Sequence, residues 1–182
     1  ASSGIGKETA VALASSGAKV VMTARDPARG QAALDEVRSR SDGGQAQLRL
    51  LDLASVASVR SFAEGLLADE PHLHVLINNA GLLLSERRVT EDGFEQTFAT
   101  NHLGPFLLTE LLRPRLEASA PARIINVASI AHHAARRGID FDDLQTEQGY
   151  SSLKAYSRSK LANVLHTREL ARRLDGTGVT AN

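Results

Sequence analysis

Apolar positions along this chain alternate between two periods. Short apolar runs at 18–24, 74–77 and 123–128 read as strands, the first as a buried parallel one, and 45–53 alternates before turning apolar and reads as another strand. Between them the apolar residues fall three and four apart, the spacing of helices with one buried face. Ile5, Ala10, Leu13 and Ala14 keep that spacing after the turn Ala1-Ser2-Ser3-Gly4-Ile5-Gly6, and Gly17 sits where a helix C′ glycine is expected. Asp26 can cap a second helix with Pro27 in its first turn, running to about Arg40 and a turn at 41–44. A third, from near Val56 to Glu70, turns Val56, Val59, Phe62, Leu66 and Leu67 inward and stops at Pro71. Thr90-Glu91-Asp92-Gly93 resembles a capping box and predicts a helix through Phe94, Phe98, Asn101, Leu103, Phe106, Leu107, Leu111 and Leu112, bent near Gly104 and Pro105. The last helix carries residues 155–163 and runs to about Leu174, and Gly176-Thr177-Gly178 turns into a final strand. Repeated β-α units without hairpin signals predict an α/β fold, a doubly wound parallel sheet, in a single domain over 1–182.

Composition narrows the function classes. The 182 residues hold 21 Lys and Arg against 21 Asp and Glu, so a general basic patch for nucleic acid is not indicated. The lack of cysteine excludes disulfides and thiolate chemistry. No apolar run reaches the ~18–20 residues of a membrane span, and no signal peptide is visible. These features give the expectation of a soluble, cytoplasmic protein. The chain opens without methionine on a glycine turn and stops at 178–182 on what reads as a buried strand. Domain boundaries are usually polar and flexible, so the expectation is a fragment of a longer protein lacking its first strand.

Several residues carry candidate chemistry. A glycine turn entering a helix, as at Ser3-Gly4-Ile5-Gly6, offers free N–H groups and the positive end of the macrodipole to a phosphate, although a plain helix start reads the same way. Arg25, at a strand end, suits a 2′-phosphate, whereas the adjacent Asp26 suits a 2′-hydroxyl. Asp52 could accept from an adenine amino group, or Asp52 or Ser55 could cap the next helix. Asn78-Asn79-Ala80-Gly81 follows a strand with small and amide residues that let a ligand ring approach the backbone. Ser129 sits at the end of the 123–128 strand, and Asn101 at the helix bend can serve structure alone. His132, His133, Asp140, Asp142 and Asp143 invite a metal reading. Adjacent histidines are not expected to point one way, so a polar loop at 130–149 lining a substrate entrance is preferred. Tyr156 and Lys160 stand one helical turn apart, close enough for the ammonium to favour a phenolate. Tyr150 and Lys154 repeat the spacing, but Ser151-Ser152 read as N-cap residues, which places Tyr150 before the helix.

Together these residues resemble the short-chain dehydrogenase/reductase family. Ser3-Gly4-Ile5-Gly6 resembles the second half of its cofactor motif, and Asn78-Asn79-Ala80-Gly81 its central-strand motif. Asn101, Ser129, Tyr156 and Lys160 match its catalytic tetrad in order and approximate spacing. Leu51-Asp52-Leu53, His74-Val75-Leu76-Ile77, residues 139–144 and Lys160-Leu161-Ala162-Asn163-Val164-Leu165 resemble the retinol-dehydrogenase-like branch. The resemblance implies a Rossmann-like fold holding NADP(H), with NAD(H) the lesser candidate, against Ser3, Gly4, Ile5, Gly6, Arg25, Asp52, Leu53, Asn79, Ala80, Gly81, Tyr156 and Lys160. It implies Tyr156 as proton donor and acceptor, Lys160 as its activator and ribose ligand, Ser129 on the substrate oxygen, and Asn101 holding a relay water. The implied reaction interconverts an alcohol and its aldehyde or ketone, needs no metal, and takes a small-molecule substrate of retinol-dehydrogenase-like class. A homodimer through the helices of Asn101 and Tyr156 is implied as well. A non-catalytic, redox-sensing dinucleotide-binding protein is the alternative. An intact tetrad argues against it, and sugar-nucleotide epimerisation stands further off. The first Thr-Gly of the cofactor motif and the Pro-Gly segment expected after Asn182 are departures.

Overall fold

Gly4 starts the first helix with φ +57, a backbone that side-chain-bearing residues avoid. The structure, a computed structural model, describes residues 1–182 and resolves them into two units, Ala1–Asp52 and Leu53–Asn182. In the first unit, α1 (Gly4–Ser15) ends at Ser16, and Gly17 takes φ +85 at the C′ position. Its buried residues are Gly6, Ala10 and Ala14, small enough for close packing on α2 (Pro27–Arg40). Ile5, placed by its spacing on the apolar face, is instead 70% exposed at the helix entrance. The Asp26 carboxylate caps α2 by accepting from the Arg29 N–H at 2.7 Å, as expected. Strands β1 (Val20–Ala24) and β2 (Ala46–Leu50) pair in parallel, Val20 opposite Ala46. Met22, Leu34 and Val37 fill the core between strands and helices with alanines around them.

In the second unit, β3 (Val75–Asn78), β4 (Ala122–Asn126) and β5 (Val179–Ala181) form a parallel sheet in that order. Helix α3 (Val56–Asp69) packs on α5 (Gly104–Ala118), and α5 and α6 (Ser152–Arg173) both pack against β4. Val59, Leu66, Leu112, Leu116, Ile124 and Leu170 form the buried core. Ser55 caps α3, accepting from the Ser58 N–H at 3.2 Å, which decides between the two capping candidates.

The helix expected from Thr90 does not start there. Thr90 and Gly93 close a turn, with Gly93 at φ +85, and Val89 bridges antiparallel to Glu95. Helix α4 (Gln96–Phe98) begins only after Glu95, whose fully buried carboxylate accepts from the N–H groups of Thr97 and Phe98 at 2.8 and 2.7 Å. One carboxylate satisfying two orphan donors beats the Thr90 cap. The chain then runs as one π-helical turn, Ala99–Leu103, into α5. The bend expected at Asn101 thus takes the form of a widened turn. No helix is long and apolar enough to cross a membrane.

Candidate active site

The proton-transfer candidates lie in the second unit. Helix α6 starts at Ser152 with Ser151 as its N-cap, so Tyr156 and Lys160 both stand on the regular helix. The Lys160 Nζ lies over the Tyr156 ring, 5.7 Å from its centroid. Lys160 is 3% exposed, and burial lowers its pKa from the ordinary lysine value. Its ammonium donates to the Val127 carbonyl at 2.8 Å, which fixes it to the chain end that leads to Ser129. Tyr156 is half-buried and its hydroxyl has no protein partner. The competing pair is taken apart: the Tyr150 hydroxyl donates to the Leu84 carbonyl at 3.0 Å, while Lys154 donates to the Gln148 carbonyl at 2.6 Å and pairs with Asp143 at 3.7 Å. Four-residue spacing gives a shared face only inside a helix, and Tyr150 lies before it.

Ser129 follows β4 and caps a short 3₁₀ turn, Ile130–Ala134, that packs on α6. Its Oγ accepts from the Ala131 N–H at 3.2 Å, which leaves its hydroxyl hydrogen able to donate outward. Asn101 is 1% exposed and fully engaged: Oδ1 accepts from the Leu82 N–H at 2.8 Å, and Nδ2 donates to the Leu82 carbonyl and Ser159 Oγ at 2.9 and 3.0 Å. Gly81 joins these groups in space, since a Cβ there would lie 3.4 Å from Lys160 Nζ and 3.6 Å from Asn101 Oδ1. Asn101, Lys160, Tyr156 and the Gly81 backbone are therefore brought together.

The cofactor candidates Ser3, Gly4, Ile5, Gly6, Arg25 and Asp52 lie in the first unit. Ser3 is the N-cap of α1 but makes no side-chain capping bond, and no acidic residue occupies the first turn. The helix start therefore offers N–H donors to an anion without a competing carboxylate, which fits a phosphate group. Arg25 is exposed directly after β1, beside an Asp26 carboxylate already engaged as a cap. Asp52 lies two residues beyond β2, and Leu53 opens the second unit. Asn79 is half-buried after β3, and Ala80 is exposed beside Gly81.

The loop after Ser129 differs from expectation in one respect. The His132 and His133 rings do lie together, centroids 4.0 Å apart, because a tight 3₁₀ turn removes the alternation of extended chain. The loop's acids hold it to α6: Asp140 pairs with Arg158 at 3.2 Å, and Asp143 with Lys154. Ile130, Phe141, Leu83 and Leu153 remain largely exposed.

Several half-buried or buried polar residues make bonds that their place in the sequence does not announce. Asn78 Nδ2 donates to Thr109 Oγ1 and Asn126 Oδ1 at 3.0 and 2.8 Å, and Asn126 Nδ2 donates to Thr167 Oγ1 at 2.9 Å. Asn163, 7% exposed, donates to the Asn101 carbonyl at 3.0 Å and holds His102 Nδ1 at 3.0 Å through Oδ1. The legible signal is a polar stripe at 156, 160, 163 and 167, one face of α6.

Comparison with known proteins finds relatives over the whole chain. A family profile described as short chain dehydrogenase matches residues 1–140. Human "Retinol dehydrogenase 12" is 55% identical over 180 residues, covering 99% of this chain and 56% of that protein. Human "Retinol dehydrogenase 13" is 48% identical over 183 residues, covering 100% of this chain and 55% of its own. The chain thus spans little more than half the length of these curated relatives. Among solved structures, an uncharacterized protein from Mycobacterium Paratuberculosis superposes with TM-score 0.86 at 44% identity, covering 100% of this chain and 63% of that one. A metagenomic short-chain oxidoreductase in complex with NADP gives TM-score 0.78 at 29% identity, covering 98% of this chain and 74% of that one.

Proposed function

Because the chain belongs to the short chain dehydrogenase family, we propose that it forms the cofactor-binding and proton-transfer part of an NADP(H)-linked oxidoreductase interconverting an alcohol and its aldehyde or ketone. The observation that carries this reading is the Tyr156–Lys160 pair, with the ammonium over the ring and the phenol hydroxyl uncommitted. When bound, the nicotinamide supplies the hydride. Tyr156 donates a proton to the substrate oxygen in reduction and accepts it in oxidation. Ser129, with its hydrogen free to donate, bonds that oxygen and stabilises the charge growing on it. Lys160, anchored on Val127, holds its ammonium beside Tyr156 and presents it to the cofactor ribose. Asn101 shapes the turn that holds a water on the path to Lys160. Ser3, Gly4, Ile5 and Gly6 would hold the cofactor's pyrophosphate and Arg25 its 2′-phosphate, while Asp52 and Leu53 would serve the adenine and Asn79, Ala80 and Gly81 the nicotinamide. The exposed Leu83, Ile130, Phe141 and Leu153 suit an apolar substrate, in keeping with relatives named retinol dehydrogenases.

The test uses the full-length protein, following NADPH oxidation with a panel of aldehydes and ketones. Tyr156→Phe lowers turnover by about 10²–10⁴-fold, the usual worth of a general acid, while Tyr150→Phe leaves most of it. The reverse order sinks the assignment, and NADPH binding without any turnover points to the redox-sensing alternative. In the same titrations Arg25 makes NADP bind more tightly than NAD, and a clear NAD preference refutes its role.

A further inference from the structure

We infer that Asn163 is a positioning residue for the Asn101 turn, with His102 fixing the orientation of the Asn163 amide. The inference rests on the proton-transfer reading above for its catalytic consequence, and on the geometry alone for its structural part.

The helix carries a defect at Asn101. In an α-helix the Asn101 carbonyl accepts from the N–H of the residue four ahead. That residue is Pro105, which has no N–H. The turn widens instead, with the Gly104 N–H reaching the Ala99 carbonyl five residues back. The Asn101 carbonyl thereby loses its α-helical donor, and a buried carbonyl short of donors is costly. Asn163, arriving from α6, supplies one: its Nδ2 donates to the Asn101 carbonyl at 3.0 Å.

The amide has one sensible orientation. Turned over, it would set its oxygen against the Asn101 carbonyl oxygen. With nitrogen toward the carbonyl, Oδ1 faces His102 Nδ1 at 3.0 Å and requires a hydrogen there. His102 must therefore be the Nδ1–H tautomer or doubly protonated. Its ring is held for the task among Phe98, Phe106 and His166, at centroid distances of 5.2, 6.0 and 6.1 Å. Asn101's own side chain is engaged with Leu82 and Ser159. A relay water at Asn101 would therefore have to meet its carbonyl, and Asn163 sets where that carbonyl points. Asn163 is anchored in turn, since its own carbonyl accepts from Thr167 Oγ1 at 2.7 Å, and Thr167 is held by Asn126.

The experiment compares Asn163→Leu, His102→Asn and His102→Leu in the full-length protein. Asn163→Leu, close in volume but unable to donate, lowers kcat by roughly 10–100-fold, the scale of an ångström's misplacement. KM and NADPH affinity stay within about threefold, as expected when only the transition state loses an interaction. His102→Asn places an amide donor near the position of Nδ1 and keeps most of kcat, whereas His102→Leu, the better filler of space, does not. A packing role predicts the opposite order, so His102→Leu outperforming His102→Asn overturns the inference, as does unchanged kcat in Asn163→Leu. Two readouts work without turnover: ¹⁵N imidazole NMR finds a hydrogen on His102 Nδ1, and amide exchange in 99–104 accelerates in Asn163→Leu. A neutral Nε2–H tautomer, or unchanged exchange, overturns the inference even if the wild type is inactive, whereas an inactive wild type with both signatures present overturns only the oxidoreductase reading.

Discussion

Two glycines of the second unit show how differently one methyl group can act. A Cβ at Gly104 would overlap the Leu53 carbonyl oxygen and lie 3.0 Å from Leu53 C and Cβ, where backbone cannot give way cheaply. Gly104→Ala is therefore expected to destabilise by about 1–3 kcal/mol, the range for overpacking, as a lowered denaturation midpoint with little specific effect on kcat. At Gly81 the same methyl meets only ordinary contacts, 3.4 Å to Lys160 Nζ and 3.6 Å to Asn101 Oδ1, and its backbone needs no positive φ. Gly81→Ala should change stability by less than about 1 kcal/mol, yet weaken NADPH binding, because it fills space beside the Lys160 ammonium. Equal losses of stability in the two variants would contradict the contrast. Residues like these separate what the sequence discloses from what it hides. Tyr150 could be set aside from sequence because Ser151-Ser152 announces a helix start. The crowding at Gly104 comes from Leu53, far away along the chain, and no local pattern reports it.

Among elements, the strands, the caps at Asp26 and the start of α6 were legible because each depends on neighbours within a few residues. The segment from Thr90 to Leu103 was not, since two acceptors compete there for one helix start. Thr90 carries the stronger local motif, but Glu95 satisfies two N–H groups and is itself locked by Gln145 Oε1, which accepts from the Glu95 N–H at 2.6 Å. That last bond spans a long stretch of sequence, so the deciding contact is invisible to a local reading. Glu95→Ala leaves the Thr97 and Phe98 N–H groups buried without acceptors and is expected to cost about 2–4 kcal/mol, measured by denaturant unfolding. Glu95→Gln, which keeps one acceptor oxygen, should cost clearly less. The polar stripe of α6 was legible as a pattern, but its burial was hidden for another reason. Asn163 and Thr167 sit where an exposed face would also be polar, and only their partners on the π turn and on β4 reveal a buried one.

Across the molecule, the parallel α/β order was readable from the alternation of apolar periods, while the burial of charge and imidazole was not. His102 and His166 lie side by side in the second unit, and burial lowers the pKa of each from the ordinary histidine value. The Asn163 bond opposes the shift at His102. At His166 the neighbouring His102 adds to it, Glu110 opposes it, and Arg173 reinforces it. The His166 Nε2 is buried without a partner, so that ring has little to offset a charge. A depressed folded-state pKa means that the unfolded chain binds protons first as the solution is acidified. The contribution is therefore complete above the unfolded histidine value near ~6.5 and is lost as pH falls from there toward the lowered folded values. Lys and Arg equal Asp and Glu in number, so net self-repulsion is small near neutrality and does not mask the effect. The thermal midpoint should fall between pH 7.5 and 5.5. His166→Phe, which keeps the ring's packing against Phe106 at a centroid distance of 4.8 Å, should show a shallower fall over that interval. A variant whose midpoint drops as steeply as the wild type would place the acid sensitivity elsewhere than in this pair.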